Sequence, residues 1–363
     1  MAPAVDPIRL AMSAEGIARR LDACRPHARV KVGLLLNPRA RRIASRVQRE
    51  RLRRLLDGAD AIEQTGDLAS LRRAIARLLC VRQANVLAIA GGDGTLHHAV
   101  NALLELTRES AAAAGVPIPM PRILILNGGT LNIVGRTVAI HGQPHSTLAR
   151  FLRYFDGAPL SRVPARRLPM MAVRWGDTSP RHGFVFGSET IYHAMELYTR
   201  FGAGYGGLSR FLLELGRGVL FGSELWQHER WKLDPHHHDL LIDDRSFNPY
   251  VAVAASTVDL TLAIAAVRAI RRPLLAPGFH AKVVVEQRPQ QLLRMLPAVM
   301  TERIPEGVVD LPNASRLQLY GPYTLDGELF HEPALAAQRL PLTVEVAAER
   351  LHAVPGELGA TQW

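Results

Sequence analysis

Cysteine and lysine are almost missing from this chain. Only Cys24 and Cys80 occur. Two cysteines so far apart exclude a disulfide framework and a cysteine-based metal motif, which fits a reducing cytoplasm. The only lysines are Lys31, Lys232 and Lys282, so arginine carries the net charge of +11. A compositional bias accounts for that charge as well as a polyanionic partner does, whether nucleotide phosphates, nucleic acid or an anionic membrane surface. No membrane-spanning run exists: the best stretch, Val251 to Ala266, is short, alanine-rich and broken by Asp259. Residues 1–29 carry Asp6, Glu15, Arg19, Arg20 and Asp22 without a continuous apolar core. They therefore read as an N-terminal extension and not as a secretory signal. Internal repeats, low-complexity tracts and DNA-recognition motifs are also lacking, and no nucleic-acid partner is expected.

What remains is ample for a folded protein. Hydrophobic residues make up 48% of 363, enough to bury a full core, and the length suggests two domains. Residues 30–36 (VKVGLLL), 86–90 (VLAIA) and 123–126 (ILIL) are continuous apolar runs. Runs of this length read as strands buried on both faces, hence parallel. They stop at Asn37-Pro38, Gly91-Gly92 and Asn127-Gly128-Gly129. Helical spacing lies between them, over 67–80 with Asp67 as N-cap, over 95–106, and over Arg46 to Asp57 with Gly58 as a stop. This alternation predicts an α/β, doubly wound parallel sheet over 30–159, in which ligands bind beyond the carboxyl ends of the strands. After Ala158-Pro159 the pattern changes. Strand-like segments at 169–175, 183–187, 248–255, 281–286 and 316–320 predict a mostly β second domain over 160–340, with one helix near Leu208–Leu215. Residues 341–353 are expected to return to the first domain.

The segment Gly91-Gly92-Asp93-Gly94-Thr95 follows a strand and opens a helix. Glycines there let a phosphate approach the backbone, and a helix N-terminus supplies unpaired N–H groups. A plain tight turn with a capping aspartate is the bland alternative. No lysine follows as in a P-loop, and the third glycine of the dinucleotide fingerprint is missing. Later, Asp326-Gly327-Glu328 reads by itself as an exposed turn.

Taken together, the ordered motifs resemble the diacylglycerol kinase catalytic family, which includes sphingosine kinases and bacterial lipid kinases. The set is Asn37-Pro38, Thr65-Gly66-Asp67, Gly91 to Thr95, Gly129-Thr130-Leu131-Asn132 and Asp326-Gly327-Glu328, and the resemblance spans roughly residues 30–353. It implies ATP, as its Mg²⁺ complex, held by Asn37, Pro38 and Arg39, Thr65, Gly91, Gly92, Asp93, Gly94 and Thr95, and Gly129, Thr130 and Asn132. It implies Glu328 as general base, with Asp93 and Asp326 as further catalytic carboxylates, and ATP bound at a cleft between the two domains. It also implies a diacylglycerol- or sphingoid-like lipid substrate met at a membrane surface, hence a cytoplasmic, peripherally membrane-associated enzyme of lipid metabolism. A homodimer is left open.

Three positions depart from the family. Ile133 stands where an acidic residue often follows the GTxN asparagine, and His97-His98 replace Asn-Glu after the glycine motif. The acidic pair that binds an auxiliary magnesium ion should fall near Ala276 to His280, where no carboxylate stands, so the metal site is unassigned. An NAD kinase, which shares the glycine motif, and a catalytically weak nucleotide- or lipid-binding regulator are the rival readings. His236-His237-His238 favours an exposed loop over a metal site, because consecutive side chains diverge. Residues Phe201 to Phe221 suit an acyl pocket or ordinary core packing. The arginines from Arg39 to Arg54 suit a solvated helix face or a ligand or membrane contact.

Overall fold

The apolar runs become strands because nothing within them can face water, and the glycine- and asparagine-rich stops become the loops that join strand to helix. The computed structural model of the chain describes residues 6–56, 61–129, 131–202, parts of 207–229, and 239–262, 267–273, 277–285, 303–333 and 340–357. The chain divides into two units, Met1–Leu168 with Arg350–Trp363, and Pro169–Glu349. The sequence placed these divisions at 159/160 and 340/341.

The first unit opens with two short helices, α1 (Pro7–Met12) and α2 (Ala14–Ala23), capped by Asp6 and Ser13. They pack against helices that follow, although the sequence suggested only an extension. Next come β1 (Val32–Leu36), α3 (Arg46–Arg53), β2 (Ile62–Gln64), α4 (Leu68–Ala76), β3 (Val86–Gly91) and α5 (Asp93–Ala114). β4 (Arg122–Asn127), α6 (Ile133–Thr137) and α7 (Pro144–Phe155) complete the run. Asp67 caps α4 as its spacing predicts, in a reciprocal pair with Ser70. Gly115, at φ 65°, ends α5 in the left-handed conformation that glycine adopts without strain. The strands pair in parallel in the order β2-β1-β3-β4. Leu34, Leu36, Val86, Ala88, Leu124 and Leu126 share a core with α3 and α7 through Leu52, Leu148 and Phe151. Because β2 and β3 flank β1 on opposite sides, the chain reverses direction across the sheet there. The loops after β1 and β3 therefore meet at the topological switch point, the position where such sheets bind ligands.

The second unit is built from antiparallel strands. They are β5 (Arg166–Trp175), β6 (Arg181–Gly183), β7 (Val185–Glu189), then helix α8 (Thr190–Thr199), β8 (Leu240–Ile242), β9 (Arg245–Phe247), β10 (Tyr250–Ser256), β11 (Leu260–Leu262) and β12 (Val267–Ile270). β13 (Phe279–Val285), β14 (Val308–Ala314), β15 (Arg316–Leu319), β16 (Tyr323–Leu325), β17 (Glu328–Phe330) and β18 (Leu342–Ala353) follow. One sheet runs β14-β13-β10-β7-β16-β17. It shares a core with strands β5, β8, β15 and β18, through residues such as Trp175, Tyr250, Phe279, Leu317 and Tyr323. The last residue of β18, Ala353, lies in the first unit and pairs in parallel with Ile123 of β4. No helix among the described residues is long and apolar enough to cross a membrane.

Candidate active site

In the first unit, three loops converge at the carboxyl edge of the sheet. The Asn37 amide donates to Ala90 O at 3.0 Å, continuing the ladder past the end of β1. Its side chain then bridges two loops: Nδ2 donates to Thr95 Oγ1 at 2.8 Å, and Oδ1 accepts from the Arg39 amide at 2.9 Å. Pro38 lies between them, half-buried, with Arg39 exposed beside it. The Gly128 amide donates to Gly91 O at 2.7 Å, and Gly128 O accepts from the Arg42 amide at 2.9 Å. Loop approach is so close that it requires glycine. A Cβ on Gly91 would sit 2.4 Å from the Thr95 side chain, and one on Gly129 would sit 2.5 Å from Gly92 Cα. Asn132, in the left-handed conformation at φ 49°, accepts from the Gly129 amide and donates back to Gly129 O, both at 3.0 Å. Thr130 lies outside the described residues.

α5 begins at this convergence, with Gly92 as N-cap and Asp93 and Gly94 in its first turn. The opening amides of an α-helix have no intrahelical acceptor and carry the positive end of its dipole, so a turn of this kind accommodates phosphate oxygens. Thr65 is buried, and its amide donates to Leu36 O at 3.0 Å, which brings the loop after β2 against the end of β1. Asp67 turns away to α4, where the Ser70 amide holds its carboxyl below the usual carboxylate range. Asp93 is the carboxylate on the glycine turn itself. His97 is buried in the next turn, its ring edge-on to that of His98.

In the second unit, Asp326-Gly327 is the two-residue loop joining β16 to β17, with Leu325 paired to Glu328. Both loop residues have positive φ, 54° and 89°, the conformation that the right-handed twist of a tight hairpin demands and that Asp-Gly accepts. The turn expected from the bare sequence is present, but it is anchored. Asp326 Oδ1 accepts from the amides of Phe184 and Val185 at 2.8 and 2.9 Å. Glu328 opens β17 half-buried. Tyr323 lies under the hairpin, stacked on Phe186 and Phe330. Arg181 braces the same strands: it pairs with Glu332 at 2.8 Å and lies 4.8 Å over the Phe330 ring. Thus Asp326 shapes the turn while Glu328 is presented by it.

The same sheet holds a carboxylate that the sequence did not single out. Glu189 ends β7 and is 3% exposed, with a backbone at φ 58° and ψ −120°. Its Oε1 accepts from Tyr250 Oη at 3.1 Å. Burial pushes its carboxyl up to about 7, opposed by the Tyr250 hydrogen bond. A glutamate closing an apolar strand gives no local sign of burial, because that burial comes from β10 and β16 on either side.

The residues near the family's auxiliary magnesium position do not fit a metal ion. His280 Nε2 lies 2.8 Å from Asp310, its Nδ1 lies 2.9 Å from Arg271 O, and Lys282 Nζ approaches the same Asp310 oxygen at 3.5 Å. The nearby carboxylate thus already faces an imidazole and an ammonium. No group of three or more potential ligands occurs among the described residues. His236 to His238 lie outside them, as does much of 201–221, where the buried Phe211 ring packs against Tyr198 and Phe201.

Residues 31–155 match the model of the diacylglycerol kinase catalytic domain. No curated protein matches the sequence. Among solved structures, a Bacillus anthracis str. Sterne protein provisionally named a diacylglycerol kinase aligns at TM-score 0.60 with 14% identity, over 90% of this chain and 96% of its own. A further structure, described as a diacylglycerol kinase of the same organism, aligns at TM-score 0.54 with 13% identity, over 90% and 96%. At such identity these likenesses establish the fold, an α/β parallel-sheet domain with a second domain of antiparallel strands. With its glycine turn tied to the loops on either side, the segment 31–155 is similar to the diacylglycerol kinase catalytic domain.

Proposed function

We propose that the chain transfers the γ-phosphoryl group of ATP to the hydroxyl of a lipid, diacylglycerol- or sphingoid-like. The observation that carries this reading is the knot of loops at the switch point, in which Asn37 holds Thr95 and Gly128 holds Gly91 inside the matched catalytic domain. ATP enters as its magnesium complex. The opening turn of α5 would take phosphate oxygens on its amides, Asp93 would help hold the magnesium ion, which would neutralise phosphate charge, and Arg39 would add positive charge beside the phosphates. Phosphoryl transfer asks little covalent chemistry of a protein; positioning and charge stabilisation carry it. The remaining need is a base for the attacking hydroxyl. Glu328 takes that role, as the resemblance of the Asp326-Gly327-Glu328 motif implies, and Asp326 holds two backbone amides of the neighbouring strand. It withdraws the hydroxyl proton as the oxygen attacks phosphorus in line and the γ-phosphorus–oxygen bond to ADP breaks.

The test is incubation with γ-labelled ATP and a total lipid extract, with the product identified, beside a parallel incubation with NAD. A labelled, phosphatase-sensitive lipid is expected. Label in NADP and none in lipid would overturn the lipid reading, and label in neither would leave a binding protein without turnover.

A further inference from the structure

Helices α3 and α7 lie side by side on one face of the first unit's sheet. Gln48 Oε1 meets His145 Nδ1 at 3.1 Å, and Leu52, Leu148 and Phe151 enter one core. Their inward faces are therefore fixed by packing, and their outward faces form a single surface. That surface is strongly one-signed. Arg46, Arg51 and Arg53 from α3, Arg54 at its C-cap, and Arg150 and Arg153 from α7 are exposed on it. The carboxylates there, among the described residues, are Glu50, paired with Arg54 at 3.3 Å, and Asp156 just beyond α7. The other five arginines have no ion-pair partner among the described residues. Clustered like charges repel one another and add nothing to the fold. Guanidinium groups, with their forked donors, are suited to phosphate.

Two uncharged side chains stand among these arginines. Val47 is 61% exposed on α3 and Tyr154 is 55% exposed on α7. An isopropyl group gains nothing from a phosphodiester backbone, but an apolar tip and an amphipathic ring both suit the boundary between lipid headgroups and acyl chains. We propose that the shared outward face of α3 and α7 is a docking surface for an anionic phospholipid bilayer. Its arginines meet headgroup phosphates while Val47 and Tyr154 enter the headgroup layer. The choice of a bilayer over another polyanion rests partly on the lipid-kinase reading. The surface is well placed for that reaction, since residues 38–45 alone separate Asn37 from α3.

The test is cosedimentation with phosphatidylcholine–phosphatidylglycerol vesicles and with phosphatidylcholine alone. Binding is expected only to the anionic vesicles, and it should fall as salt rises. The R46Q/R51Q/R150Q/R153Q variant should lose about a hundredfold or more in vesicle partitioning, with an unchanged melting curve. Val47→Ser, a single exposed and uncharged change, supplies an independent readout if the quadruple variant folds poorly. It should weaken vesicle binding and leave binding to duplex DNA unaltered. Equal binding to neutral vesicles, full retention by both variants, or tighter binding to duplex DNA than to anionic vesicles would overturn the proposal. Turnover of a short-chain diacylglycerol in detergent micelles is measured separately. Its absence counts against the kinase reading alone, while vesicle binding decides the surface.

Discussion

Neutralising Glu189 should make the second unit less sensitive to alkaline pH. Its carboxyl is pushed from an ordinary 4.5 up to about 7 by burial. The folded value exceeds the unfolded one, so the protonated form is what the fold favours. That contribution is complete below about pH 4.5 and is lost as pH rises through about 7. A tenfold change in proton affinity corresponds to about 1.4 kcal/mol, so the full loss is about 3 kcal/mol, undiminished by solvent screening because the side chain is 3% exposed. Glu189→Gln keeps the shape, retains a partner in Tyr250, and cannot ionise. Guanidinium unfolding at pH 5 and pH 8 is the assay, followed by tryptophan fluorescence, since Trp175 lies buried in the second unit. The stability difference between parent and variant should change by about 2.5 kcal/mol between the two pH values, since a small part is already lost at pH 5, in favour of the variant at pH 8. A difference that stays constant would refute the reasoning. Tyr250→Phe should move the titration upward, because it removes a donor to the carboxylate.

Asp93→Asn should lower kcat on the order of a hundredfold or more with an unchanged melting temperature, since the charge sits in the opening turn of α5 and not in the core. Glu328→Gln should reduce turnover about a hundred- to ten-thousandfold while calorimetry finds ATP affinity retained. Asp326→Asn should keep near-parental turnover, because asparagine tolerates positive φ and can still accept from Phe184 and Val185. Asp326→Ala should melt at lower temperature, by about 1–3 kcal/mol in stability, because it leaves two amides without their acceptor. Removing Mg²⁺ with a chelator should abolish turnover but leave the second unit's melting curve in place, because Asp310 is already satisfied by His280 and Lys282.

The parallel strands and the loops after them were legible because their signals are local. An apolar run such as residues 86–90 and the glycine pair that stops it need no distant partner to be read. The same holds for Asp67, whose capping partner is three residues away. Short strands such as β6, β8 and β9 carry only three residues each. They are strands because remote segments pair with them, and no pattern over three residues reports that. The separation of Asp326 from Glu328 was likewise invisible. The two are close together in the motif, and only the arrival of the Phe184 and Val185 amides assigns one to the turn. Burial of Glu189 depends on Tyr250, sixty-one positions further on.

The two opening helices separate what is inherited as a family from what folds as a body. The matched segment begins at residue 31, yet α1 and α2 complete the layer it needs. Arg20, buried, donates to Thr107 and Ser110 of α5 at 3.0 and 3.3 Å, and Ser110 in turn donates to Ala11 O at 3.0 Å. The Asn85 side chain at the start of β3 holds Ala23 O and Arg29 O at 2.8 and 2.9 Å. A protein trimmed to the family boundary would uncover the helix surface beneath Leu10 and Ile17 and strip a hydrogen-bond network from α5, the helix whose first turn carries the glycine motif. Whoever prepares the catalytic domain in isolation should begin it ahead of Asp6, the cap of α1.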